Sequence, residues 1–155
     1  GRIEKIPRLH CVQSRNVMPL VAAFNGQEWG PEDAAKTVAG GISIAAPSRQ
    51  WQILEILRLT GGSAVAVEES SILKFQRDLA EDEGIFAEPT SAAAFAGLVK
   101  MCRQGLNLEG QRVVCIFTGN GLKDPDLAVR SVVSQTTEIE PTLEAVEAAS
   151  LVTAS

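Results

Sequence analysis

The sequence has few of the residues that disulfide frameworks and metal sites require. Its three cysteines, Cys11, Cys102 and Cys115, form no CxxC pair, and His10 is the single histidine. An odd number of widely spaced cysteines argues against a disulfide framework, and a structural zinc site needs four such ligands. We therefore expect reduced thiols and a cytoplasmic location.

The scarcity of histidine also bears on hydrolytic catalysis. A Ser-His-Asp triad would need His10 as its base, yet no G-x-S-x-G segment accompanies it, and the residue lies in a predicted strand. We interpret His10 as a structural residue. The acidic run at 81–83 is interpreted as a solvated turn, because consecutive carboxylates rarely face one another.

Two further absences concern partners. The formal net charge is -5 and Lys and Arg form no cluster, so the surface does not suit nucleic acid, whose phosphates need clustered cations. No apolar run reaches about 18 residues, the length of a membrane-spanning helix. We expect neither nucleic acid nor membrane as a partner. The chain begins at Gly1 without an initiator Met, which we interpret as a processed product or a piece of a longer protein.

What the sequence does contain is an alternation of strands and helices. Strands are predicted at 9–13, 64–67 and 113–117. Helices are predicted at 18–24, 48–59 and 70–80, from 89 onward, from about 124, and at 141–149. This order favours an α/β fold with a parallel sheet core and flanking helices. We divide the chain into a body at 1–133 and a helical tail at 134–155.

The most informative segment is T-G-N-G-L-K-D-P at 118–125, which follows the apolar run 113–117. Ligands bind at the carboxyl ends of parallel strands, where Thr118 is expected, and Gly119 and Gly121 allow close approach of the backbone. The spacing fits neither a Walker A loop nor a dinucleotide fingerprint, whose third glycine is replaced by Asp124. A plain strand-to-helix turn is the alternative, and local sequence leaves both open.

A second candidate is the segment E-P-T-S-A-A at 88–93. Glu88 precedes a predicted helix whose small residues allow its amino end to lie close to a sheet or a ligand. A carboxylate in this position can also simply stabilise the helix dipole. We hypothesise that Glu88 and Thr118 converge on one pocket.

These two segments resemble those of threonine synthases. Residues 118–125 are similar to that family's T-G-H/N-G-L-K-D-P, and residues 84–93 to its G-x-x-x-E-P-x-S-A-A. Weaker likenesses are a P-x-x-x-x-V-Q strand at 7–13 and the loop at 39–42. The resemblance implies part of the fold-type-II pyridoxal-phosphate enzyme architecture. The complete enzyme would convert O-phosphohomoserine and water to threonine and phosphate.

The resemblance also implies roles for individual residues. Thr118 would hydrogen-bond the pyridine nitrogen of pyridoxal 5'-phosphate, and a hydroxyl partner, unlike a carboxylate, does not enforce protonation of that nitrogen. Gly119, Asn120 and Gly121 would shape the wall beside the ring. Glu88 would lie near the cofactor.

The family's Schiff-base lysine and its glycine-rich phosphate loop belong to an amino-terminal segment that this sequence does not match. None of the lysines lies in a Schiff-base motif: Lys5, Lys36, Lys74, Lys100 and Lys123. We therefore expect a carboxy-terminal portion, with 1–133 as the carboxy-terminal half of the cofactor domain, that is inactive alone.

The partners implied are the amino-terminal half of the same enzyme, a phosphorylated amino acid as substrate, and a second copy in a homodimer of the full-length protein. Two alternatives stay open. One is another fold-type-II lyase, such as a cysteate synthase or a threonine dehydratase. The other is a non-enzymatic binding domain derived from the same fold.

Overall fold

The computed structural model describes residues 4–131 and 138–152. Within these ranges the strands are β1 (His10–Ser14) and β2 (Ser63–Val67). The helices are α1 (Pro19–Phe24), α2 (Gln50–Leu59), α3 (Glu69–Glu83), α4 (Pro89–Arg103), α5 (Pro125–Ser131) and α6 (Leu143–Val152). Single 3₁₀ turns lie at Pro31–Asp33, Gly40–Ile42 and Gly121–Lys123.

The two strands pair in parallel, in a register that places His10 opposite Ser63 and Ser14 opposite Val67. The chain between them passes through α1 and α2, as a parallel connection requires. Val65, Ala66 and Val67 are all buried, so both faces of β2 are covered. The predicted α/β class and its parallel pairing are confirmed.

A buried glutamine fixes the first helix to the end of β1. Gln13 is 6% exposed, and its Oε1 accepts hydrogen bonds from the backbone N–H groups of Leu20 (2.8 Å) and Val21 (3.0 Å). These donors belong to the first turn of α1, which has no partners for them within the helix. Gln13 therefore caps α1 from the neighbouring strand and sets the direction in which the helix leaves the sheet.

The core lies where α3 and α4 meet β2. Its buried members are Ala39, Val67, Ile72, Phe75, Leu79, Ala92, Ala93 and Ala96. The small residues of α4 allow this helix to approach the sheet closely. A Cβ added to Gly97 would lie 2.7 Å from Val12 Cγ1, so α4 rests almost directly on β1.

The outer edge of the sheet carries a lysine. Arg15 N–H donates to the Val67 carbonyl (2.8 Å), so that carbonyl faces β1. Because successive residues of a strand face opposite edges, the Ala66 carbonyl faces the outer edge of β2. Lys100 Nζ, from α4, donates to it at 2.6 Å.

The prediction of a third strand at 113–117 is wrong. The run forms no strand ladder with any described residue. Val114 is 78% exposed and Ile116 72% exposed, while Phe117 packs partly against the core. A β-prone sequence becomes a strand only where a neighbouring strand pairs with its N–H and C=O groups.

Some helix boundaries also differ from prediction. α2 begins at Gln50, after Arg49, so Ser48 does not cap it. α3 begins at Glu69 and continues to Glu83, so the acidic run at 81–83 forms its last turn and not a loop. The helix ends only at Gly84, whose φ of 67° is one that other residues resist.

The helix predicted at 141–149 corresponds to α6, which begins and ends slightly later. The proposed division between 133 and 134 lies outside the described residues. Throughout the described part of the chain, each helix is too short or too polar to cross a membrane.

Candidate functional site

The glycine segment and the approach to α4 lie side by side as a short antiparallel pair. Residues 86–88 and 119–121 are joined by a bridge between Ala87 and Asn120. Two hydrogen bonds form it, one from Glu88 N–H to the Gly119 carbonyl (3.0 Å) and one from Gly121 N–H to the Phe86 carbonyl (2.9 Å). The two segments that the sequence singled out therefore pair through their backbones. We call this pair of segments the site ladder.

Ser91 fastens the site ladder to α4. Its side chain is 1% exposed, and its Oγ accepts a hydrogen bond from Gly119 N–H (2.9 Å) and lies 3.2 Å from the Gly119 carbonyl. In the sequence Ser91 is only one residue of the segment 88–93, with no predicted role of its own. The sequence held one signal for this role, the spacing of Ser91 and Glu88. The two residues fall within one helical turn, so a segment that lies beside Glu88, as Gly119 does, is also within reach of Ser91.

The glycines of the motif make room for the chain's own side chains. A Cβ on Gly119 would overlap the carboxylate of Glu88, and a Cβ on Gly121 would lie 2.6 Å from the Phe86 ring. The Glu88 side chain is 17% exposed, and its Oε2 lies 3.5 Å from Lys123 Nζ. Because Lys123 is 62% exposed, water screens this ion pair strongly.

Thr118 and Asn120 differ in how far their side chains are already engaged. Asn120 Oδ1 accepts the N–H of Leu122 (2.9 Å) and so caps the Gly121–Lys123 turn. Thr118 is exposed, and its hydroxyl has no hydrogen-bond partner among residues 4–131 and 138–152. A hydroxyl of this kind can donate to or accept from a bound group.

The other titratable candidates lie apart from the site ladder or are held neutral. Burial raises the pKa of Cys11 to about 11 and also raises the pKa of Cys115, so both thiols stay protonated near neutral pH. Burial, and then the charge of Arg8, lower the pKa of His10. Its Nδ1 lies 2.8 Å from Ser63 Oγ across the sheet, which is consistent with a structural role. The described residues contain no cluster of three potential metal ligands.

The comparisons with known proteins address the same region. The family model described as "Pyridoxal-phosphate dependent enzyme" matches residues 2–119, which is most of the chain. This chain belongs to the pyridoxal-phosphate dependent enzyme family. The matched range includes β1, β2, α3, α4 and the site ladder up to Gly119.

Among curated proteins, the chain is similar to several threonine synthases. That of Methanocaldococcus jannaschii is 38% identical over 133 residues, which cover 84% of this chain and 33% of the relative. That of Methanosarcina acetivorans is 35% identical over 151 residues, covering 96% and 37%. That of Mycobacterium tuberculosis is 37% identical over 134 residues, covering 86% and 36%. The chain thus spans about a third of the length of these relatives.

These matches confirm the resemblance to threonine synthases and the assignment to the fold-type-II family. They also confirm pyridoxal phosphate as the cofactor of the family. Thr118, which adjoins the site ladder, and Glu88, which lies within it, fit that cofactor chemically. Thr118 offers a hydroxyl with no protein partner in the described part of the chain, the kind of group that can pair with a pyridine nitrogen, and the largely buried carboxylate of Glu88 lies close by, beside Gly119.

Proposed function

We propose that this chain is the carboxy-terminal portion of a threonine synthase and forms one wall of its pyridoxal-phosphate site. The observation that carries the proposal is the site ladder. It joins the two threonine-synthase-like segments and leaves the Thr118 hydroxyl uncommitted next to Gly119. The substrate would be O-phosphohomoserine, and the products threonine and phosphate.

In this proposal Thr118 hydrogen-bonds the ring nitrogen of the cofactor. When bound, pyridoxal phosphate supplies an electron sink for the reacting amino acid. A hydroxyl at the ring nitrogen holds the ring in place without fixing a proton on it. Gly119, Asn120 and Gly121 form the backbone wall beside the ring, and Glu88 presents its carboxylate at the edge of that wall.

The Schiff-base lysine is proposed to come from an amino-terminal half that this chain lacks. Three of the lysines already have partners: Lys74 with Asp78, Lys100 with the Ala66 carbonyl, and Lys123 with Glu88. A catalytic amine must instead be free to reach the cofactor. The chain alone is therefore proposed to be inactive.

The exposed apolar run 113–117 supports the same partner. Val114 and Ile116 both expose apolar side chains to solvent. A run of such side chains in contact with water is unfavourable and is typical of a surface that another part of a protein covers. We propose that the amino-terminal half packs against this run and covers its apolar side chains. The matched residues make up only about a third of each relative, so a protein of that length has ample further chain to cover this run.

The test is an assay of the complete protein that contains this chain. We expect it to release phosphate from O-phosphohomoserine with formation of threonine. Release of ammonia and a 2-oxo acid from threonine would instead indicate a dehydratase. Failure to bind pyridoxal phosphate at all would favour the non-enzymatic alternative.

The role of Thr118 is tested in the same protein with a matched pair of variants. Thr118→Val removes the hydroxyl at nearly constant volume and should lower kcat and cofactor affinity, whereas Thr118→Ser should retain most of both. Thr142→Val is the control: it removes the hydroxyl that accepts Ala145 N–H just before α6, so it should lower stability but leave kcat unchanged. Equal activity of Thr118→Val and wild type would refute the assigned role.

The isolated chain tests the missing lysine. Titration with pyridoxal phosphate, borohydride reduction and peptide mapping should show weak labelling scattered over several lysines. Stoichiometric labelling of a single lysine would mean that the chain holds its own covalent site, and the proposal of a missing half would be wrong.

A further inference from the structure

Glu69, the first residue of α3, joins three parts of the chain through its carboxylate. It accepts a hydrogen bond from Ser14 Oγ at the end of β1. It also accepts from Thr37 Oγ1, which lies 2.9 and 3.1 Å from its two oxygens, and from Val38 N–H at 2.6 Å. A carboxylate, which only accepts, is the side chain that suits three converging donors.

The two hydroxyls in this arrangement are themselves fixed by the backbone. Ser14 Oγ, whose residue is fully buried, accepts Asn16 N–H at 3.0 Å, and Thr37 Oγ1 accepts Ala39 N–H at 3.1 Å. Each hydroxyl proton is therefore directed at Glu69. The sequence predicts the start of this helix at residue 70 and gives Glu69 no role.

The segment that Glu69 holds leads directly to the amino end of α4. Ala39 is fully buried in the core, and Gly41 N–H donates to Thr90 Oγ1 at 3.0 Å. A Cβ on Gly41 would lie 2.9 Å from the same oxygen, so the contact is close. Thr90 follows Glu88 by two residues, which brings segment 37–42 to the helix end that carries the site ladder.

We propose that Glu69 is a positioning residue of the cofactor site. In this proposal it holds segment 37–42 at the amino end of α4, so that the backbone of Gly40 and Gly41 forms a second wall of the cofactor site. Glu69 itself touches neither cofactor nor substrate in this proposal. The inference rests on the proposed function, because it needs a cofactor site at the ladder.

We call the hydrogen bonds from Ser14, Thr37 and Val38 to the Glu69 carboxylate the clamp. The clamp can be tested in the isolated chain by amide hydrogen exchange. Glu69→Gln replaces an acceptor oxygen by a donor, and Thr37→Val removes a donor. Both variants should speed exchange at Val38 and Gly41 by about tenfold or more, the effect of losing one charge-assisted hydrogen bond. Thr37→Ser keeps the hydroxyl and should restore slow exchange.

The matched control is Glu68→Gln, one residue earlier. Glu68 is 57% exposed and pairs with Arg15 at 3.3 Å on the surface, so its variant should leave exchange in segment 37–42 unchanged. The clamp would be refuted if Glu69→Gln left these amides as slow as in wild type. It would also be refuted if Glu68→Gln had the same effect as Glu69→Gln.

The link to the cofactor is tested in the complete protein by the circular dichroism of bound pyridoxal phosphate. Thr37→Val should change this signal and raise KM more than it lowers kcat, and Thr37→Ser should restore both. An unchanged signal, together with fast exchange at Gly41, would show that the segment lies outside the site and overturn the inference alone. Absence of any cofactor signal from the wild-type protein would overturn the proposed function, and the positioning role with it.

Discussion

The Ser91 hydroxyl is the most direct place to test how the site ladder is held. Ser91→Ala removes the Oγ that accepts Gly119 N–H at 2.9 Å and adjoins the Gly119 carbonyl at 3.2 Å. The carbonyl keeps its hydrogen bond from Glu88 N–H, so the principal loss is the partner of the Gly119 N–H.

The magnitude follows from these contacts. A net hydrogen bond contributes about 0.5–1.5 kcal/mol, and an unsatisfied buried N–H costs about 1–3 kcal/mol. Gly119 is only half-buried, so water satisfies part of the lost contact. We therefore expect Ser91→Ala to lower the free energy of unfolding by about 1–2 kcal/mol.

The measurement is urea unfolding of the chain, with hydrogen exchange at the Gly119 amide as a local readout. Ser70→Ala, at an exposed position in the first turn of α3, is the control and should change stability by less than about 0.5 kcal/mol. If Ser91→Ala were as stable as this control and the Gly119 amide stayed protected, Ser91 would not be what fastens the ladder.

Three other predictions concern the body of the fold. Gly97→Ala should lower stability by about 1–3 kcal/mol in thermal unfolding, because the new Cβ would press on Val12; a loss under about 0.5 kcal/mol would contradict the close packing of α4 on β1. Cys11, with its pKa raised to about 11, should react with iodoacetamide far more slowly in the native chain than in urea, as measured by peptide mass spectrometry; equal rates would contradict its burial. Because the pKa of His10 is lowered in the folded chain, the unfolded chain binds more protons, so stability should fall as pH drops below about 6.5. His10→Gln should flatten this part of the urea-midpoint profile, and an unchanged profile would count against it.

Local pattern was enough to predict most of the elements. The alternation that predicts β1, α1 and β2 depends on residues within each element, so it could be recognised without knowing the fold. The convergence of Glu88 and Thr118 on one pocket was hypothesised from chemistry, because a carboxylate before a helix and a glycine-rich turn both suit a site, and it stays a prediction.

Features that depend on distant partners could not be predicted in the same way. The run 113–117 has the composition of a strand, but pairing is a property of its neighbours, and the described residues provide none. Ser91 and Glu69 are ordinary helix-start residues by sequence. Their importance comes from Gly119 and Thr37, which lie 28 and 32 positions away and contact them only in the folded chain.

Lys100 determines at which edge of the small sheet a further strand can pair. A strand that added to the outer edge of β2 would have to displace the ammonium from the Ala66 carbonyl and leave a charge against the new backbone. Further strands are therefore expected to join on the β1 side. A single charged side chain thus opposes edge-to-edge pairing of two copies of the chain through β2.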